Sequence, residues 1–248
     1  MRWIFIMGMM SALGGCVPAR MAGFDTLRAR GDLDPIEVTG VAGWSDGSFR
    51  LGDDAGSVRR LAQADAIGWG PDAVGSAFDA VRVGLAARYG TMEFALSRAD
   101  LGGRLEGRCR HARTEVRHHV VGVEVTDPGR PLRLRCAYRI DGRGAGSLDL
   151  VATASPSGSM AEPRIGVVRV DGRELAIRSR HAIRGTSLAA AEPIGYVLDT
   201  SDGVPVAAVE ISGATRRRLL LPRSSPDRVP AVAALLTLAL FRDPGDVG

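Results

Sequence analysis

Residues 132–140 read Leu-Arg-Leu-Arg-Cys-Ala-Tyr-Arg-Ile, and this alternation constrains the fold more than any other stretch of the chain. In an extended strand Leu132, Leu134, Cys136, Tyr138 and Ile140 share one side, while Arg133, Arg135, Ala137 and Arg139 share the other. A slip of one residue would bury three guanidinium groups, so the register is fixed. The chain therefore needs a sheet with one face in a core and the other in water.

The same period of two recurs elsewhere. Met92, Phe94 and Leu96 form one such face, and Leu105, Gly107 and Cys109 another. Turn residues cut the chain into short apolar segments: 36–43 and 48–51 around Ser45-Asp46-Gly47, then 57–62 after Asp53-Asp54-Ala55-Gly56. Residues 167–170 and 173–177 flank Asp171-Gly172, which suits a two-residue type I′ loop. Residues 194–198 and 204–211 flank Ser201-Asp202-Gly203, and 218–221 supply one more strand. Gly142, Gly144 and Gly146 lack the helix that a dinucleotide site requires and read as a turn between strands. Between residues 73 and 89 the spacing of Val74, Ala77, Phe78, Val81 and Leu85 is helical, with Gly75 and Gly84 counting against it.

Residues 229–242 close this pattern with a helix. Thr237 is the only polar side chain from Val229 to Phe241, and Pro230 and Pro244 bracket the run. A helix apolar on every side must be surrounded, yet about 13 residues reach only about 20 Å, short of a bilayer core of about 30 Å. Burial in protein is the expectation. The chain, 248 residues with 45% hydrophobic, is long enough for one sizeable core. The fold class expected is mainly β: one domain over 35–248, an antiparallel β-barrel or sandwich with a buried, all-apolar C-terminal helix. Over roughly 92–248 this order of elements resembles the tubby-like family and its LURP-one and scramblase relatives. The resemblance implies a barrel closed around the helix. Cytosolic members of that family bind phosphoinositide headgroups, but the resemblance carries shape and no binding residues. A sandwich with the helix plugging one end is the rival arrangement.

Composition removes several function classes. All 32 basic residues are arginine. A P-loop, a Schiff-base enzyme, a Ser-x-x-Lys acyltransferase and a protein kinase all need a lysine amine, so these are excluded. A net charge of +4, with aromatics at 5% and no basic run interleaved with them, argues against nucleic acid as a partner.

The N-terminus supplies an address. Arg2 precedes an apolar run from Trp3 to Leu13, and small residues then lead to Cys16, the order of a secretory signal. Leu13-Gly14-Gly15-Cys16 resembles the lipobox of bacterial lipoproteins. That resemblance implies a signal peptide over 1–15, a mature chain beginning at a lipidated Cys16, and a tether over 16–34. Val17 and Pro18 follow the cysteine instead of an aspartate, which leans towards the outer membrane, with the protein facing the periplasm. In an oxidising compartment the two remaining cysteines, Cys109 and Cys136, are expected to pair. Closing a loop of that length is worth about 3.5 kcal/mol in the chain-entropy model.

Two clusters remain as candidate sites. His111, Glu115, His118 and His119 hold ligand-type atoms, but a strand is expected to split them between faces, so no metal is expected and polar loop histidines are the plainer reading. A hydrolase site near His111, Glu115 and His118 is the alternative that would make the protein an envelope enzyme. Gly185-Thr186-Ser187 is no nucleophile elbow, because no histidine follows it. Arg104, Arg108 and Arg110 oppose Leu105 and Cys109, and Arg133, Arg135 and Arg139 oppose Leu134 and Cys136. A disulfide would make these strands neighbours and gather six guanidinium groups on one surface, suited to phosphate or carboxylate. The function expected is a non-catalytic binding or scaffolding module of the cell envelope, without cofactor. Its partners would be the membrane, through the lipid anchor, and an anionic lipid or an envelope protein.

Overall fold

The computed structural model describes residues 19–40, 46–69, 81–120, 123–155, 160–213 and 215–243. The expected signal peptide and Cys16 lie outside these. Thirteen strands follow in chain order: β1 Leu33–Thr39, β2 Gly47–Leu51, β3 Asp54–Trp69, β4 Val81–Arg98, β5 Gly103–Val120, β6 Val123–Pro128, β7 Arg133–Ile140, β8 Arg143–Ala152, β9 Arg164–Val170, β10 Arg173–Arg180, β11 Gly195–Asp199, β12 Pro205–Glu210 and β13 Arg216–Pro222. Helix α1, Phe24–Ala29, precedes them, and helix α2, Arg228–Leu240, follows.

Every pairing is antiparallel, and the order β4-β3-β2-β1-β13-β12-β11-β10-β9-β8-β7-β5 returns to β4. Twelve strands thus close a barrel, and of the two architectures expected this is the one formed. Closure removes the free edges that an open sheet would leave. β6 stands outside the ring: β5 pairs with β7 over residues 105–112 and with β6 over 115–120. The far halves of β3, β4 and β5, with β6, therefore continue past the ring as a four-stranded extension. Leu61, Leu85 and Tyr89 are 58%, 39% and 37% exposed.

The helical spacing near residues 73–89 proves misleading from Val81 onward, where the chain is strand β4. Pairing with β3 on one side and β5 on the other outweighs a local pattern that Gly84 already weakens. The expected glycine turn at 142–146 is shorter than its glycines: only Asp141-Gly142 turns, with φ of 46° and 75°, and Gly144 and Gly146 belong to β8. Asp171-Gly172 takes the same two positive φ values, 49° and 73°, as a type I′ loop requires.

α2 occupies the barrel interior, and every residue from Ala231 to Leu240 is buried. Around it stand the inward halves of the alternating strands, among them Leu134, Cys136, Tyr138, Leu148, Leu150, Val168 and Leu219. Phe94 lies over Gly107, where an added Cβ would come within 2.2 Å of its ring. Thr237 spends its hydroxyl on the Ala233 carbonyl (2.8 Å) and on the Tyr138 hydroxyl (2.7 Å), so the helix's one polar side chain is satisfied in the core. Burial pushes the Tyr138 phenol well above its ordinary range. At the helix C-terminus Arg60 donates to the Leu240 carbonyl from Nε (3.3 Å) and Nη2 (2.9 Å), opposing the negative end of the helix dipole.

Outside the barrel, residues 19–33 do not behave as the tether expected over 16–34. Met21, Phe24 and Leu33 are buried against Ile194, Val197, Ala208 and Leu220 on the outer side of the wall. The Glu210 carboxylate accepts from the Met21 amide (2.8 Å), Arg20 (3.1 Å) and Arg218 (2.9 Å), and Arg218 also lies 4.6 Å from the centre of the Phe24 ring. This segment is a cover packed on β11, β12 and β13.

Candidate anion-binding wall

β5 and β7 pair with Cys109 opposite Cys136, and the two sulfurs are bonded at 2.10 Å inside the barrel. Inward cysteines force the alternate positions outward. Arg104, Arg108 and Arg110 of β5 and Arg133, Arg135 and Arg139 of β7 therefore stand exposed on one wall, as a strand pattern demands. The structure adds Arg59 of β3, two strands away, which the sequence reading did not include. Only the β3-β4-β5 pairing brings it there, and no local signal marks it.

Three carboxylates stand among these cations. Glu93 meets both Arg59 (3.2 Å) and Arg108 (3.5 Å), Glu106 meets Arg104 (3.1 Å), and Asp149 of β8 meets Arg133 and Arg135 (both 3.1 Å). Seven arginines stand here against these three acids, so the wall is locally cationic. Asp141, in the turn after β7, also accepts from the Arg104 amide at 2.7 Å. Arg110 is directly opposite Thr91 on β4 and Arg135 on β7, so neither of its cross-strand partners is an acid. Like charges directly opposite each other are unfavourable in an antiparallel pair. Arg59, Arg104 and Arg108 also border an open trough of about 310 Å³ whose floor is Ser57, Ala95 and Gly107.

No family model matches the chain, and no curated protein or solved structure matches it.

The histidine cluster resolves differently from its expectation as loop residues: positions 111, 118 and 119 all lie in β5. His111 and Glu115, four residues apart, keep one face of the strand, so it does not split this pair, whereas position 118 is of opposite parity. The side chains of His118 and His119 lie outside the described residues. His111, 8% exposed, sets its ring 5.3 Å from that of Phe241, and its Nδ1 is buried without a hydrogen bond among the described residues. Burial lowers its pKa from the ordinary histidine value, partly offset by Asp243. Glu115, 7% exposed, meets Arg113 at 3.0 Å and Arg88 at 4.0 Å. The space beside His111 is about 10 Å³, room for one water at most and not for a substrate.

Next to this pair is an ionic cluster without a sequence signature. Glu162, Glu192 and Asp243 bring carboxylate oxygens within 4.8 Å of one another, and Arg164, 3% exposed, fills the space between them. Its Nη2 donates to all three, at 3.1 Å to Glu162, and its Nη1 donates to the Tyr196 hydroxyl at 3.3 Å. Burial alone would lower the Arg164 pKa, but Tyr196, Asp243 and Glu192 together raise it. The cluster's own cation is thus a guanidinium, and its effect is to hold the residues after α2 against β9. Three distant segments supply it, so nothing local in the sequence points to it.

Proposed function

We propose that the protein is a bacterial envelope lipoprotein, acylated at Cys16 and facing the periplasm from the outer membrane, that acts as a non-catalytic binding module through its arginine wall. One observation carries this: seven arginines against three carboxylates stand on one exposed wall of a barrel whose interior is filled by its own helix. A filled barrel has no lumen in which to hold a substrate, so recognition belongs to its outer surface. Guanidinium groups favour phosphate and carboxylate, which points to phosphorylated envelope lipids or an acidic envelope protein.

The packed cover supports close attachment. Only residues 17–20 separate Cys16 from Met21, and such a link spans at most about 18 Å. A lipid at Cys16 would hold the barrel beside the membrane. Intact mass and membrane fractionation of the native protein test this. Residues 16–248 plus acyl chains in the membrane fraction, and release on Cys16→Ser, are expected. An unprocessed soluble chain would refute the anchor and the compartment together.

A further inference from the structure

We propose that the ligand of the arginine wall is a linear phosphate-bearing polymer lying along β5 and β7, an inference that rests on the wall being the binding face. Three features favour a chain of anions over a single ion or a flat bilayer. The first is spacing. Alternate residues of a strand are about 6.7 Å apart, so Arg104, Arg108 and Arg110 on β5, with Glu106 between the first two, and Arg133, Arg135 and Arg139 on β7, with Ala137 between the last two, form two adjacent, mainly cationic rows, each about 20 Å long. The second is openness. Arg108 and Arg135 are 70% and 60% exposed at the side chain, and a lone anion among such groups competes with water at every contact. Repeated contacts along one chain convert weak single encounters into retained binding. The third is curvature. A barrel wall is convex, so a flat surface meets only its crest, whereas a flexible chain follows the strands.

Near one end of the track stands the Arg110–Arg135 pair. These two cations are direct cross-strand partners, and a phosphate between them would turn an unfavourable neighbour relation into a bridged one. Arg139 stands on the β7 row, opposite Glu106. A nucleic acid is disfavoured by the lack of aromatics between the arginines. Among the described residues Tyr89 of β4 is an exposed ring, and its hydroxyl donates to Asp65 at 2.8 Å.

The test uses the full-length protein in detergent and fluorescent inorganic polyphosphate of graded length, with affinity read by anisotropy. A chain of about 30 phosphates should bind roughly 100-fold more tightly than triphosphate, with affinity falling steeply as salt rises. Arg110→Glu with Arg135→Glu should weaken the long chain at least about tenfold. Arg28→Glu, altering an exposed arginine of α1 on the opposite side of the barrel, should leave binding unchanged. Equal binding of triphosphate and the long chain, or of the double variant and wild type, overturns the proposal. So does tighter binding of an oligodeoxynucleotide of equal charge. Capture by phosphatidylglycerol vesicles without polymer binding, lost in the double variant, overturns the polymer and leaves the wall as the binding face. Binding of neither removes both.

Discussion

Two opposite sectors of the same barrel have been finished in contrary ways. Around β11, β12 and β13 the outward positions are Val197, Ala208 and Leu220, and Met21, Phe24 and Leu33 cover them. Around β5 and β7 the outward positions are mostly arginines, with Glu106 and Ala137 among them, and the described wall is exposed. Counting around the ring, β12 and β5 are six strands apart, half of the twelve. The inward faces of both sectors pack on the same helix, so the core cannot account for the difference. Outward residues report what lies against them: apolar where the chain supplies its own cover, and cationic where none of the described residues covers the wall.

The largest effect that can break this comparison is at Phe24. Phe24→Ala should cost about 4 kcal/mol by opening a cavity beneath the cover, read as a lowered denaturant midpoint. An unchanged midpoint would mean that the cover is not part of the fold. Replacing Cys109 and Cys136 together with serine should cost about 3 kcal/mol, since the bond lies in the core behind the open wall. Full stability in the double variant, or free thiols in the native protein, would remove the disulfide from the account of that wall.

A smaller effect belongs to His111, at the base of the extension. Its folded pKa lies below the unfolded value of about 6.5, so the unfolded chain takes up the proton first. The stability it allows is complete above about pH 6.5 and is lost as pH falls from there through the folded pKa. His111→Phe should flatten that part of the stability–pH curve, and an unaltered curve would assign the acid sensitivity elsewhere. Smallest of all, Arg135→Ala on the open wall should change stability by no more than about 0.5 kcal/mol. A loss of several times that would show that the arginines serve the fold and not a ligand.

The open wall was legible in the sequence because a strand covered on one face alternates strictly, and Arg133, Arg135 and Arg139 keep that period. The covered wall was harder to read: β11 is buried on both faces, so Tyr196, Val197 and Leu198 show a continuous apolar run that does not say which side meets the helix. Residues 19–33 looked like a tether because Met21, Phe24 and Leu33 are sparse anchors without a period. α2 was recognisable because a helix apolar on every side admits only burial, and its observed limits of 228–240 stand close to the 229–242 read from its prolines. Arg59 and the Arg164 cluster were out of reach, since cross-sheet pairing assembles the first and residues 162, 164, 192 and 243 assemble the second.

Native-state arginine footprinting with phenylglyoxal, read by mass spectrometry on the purified protein and on the protein in its own envelope, tests the central claim most directly. Arg110, Arg135 and Arg139 should react in the purified protein and be protected in the envelope, while Arg28 on the cover reacts in both. Equal reaction of the wall arginines in the two preparations would contradict the wall as the binding face.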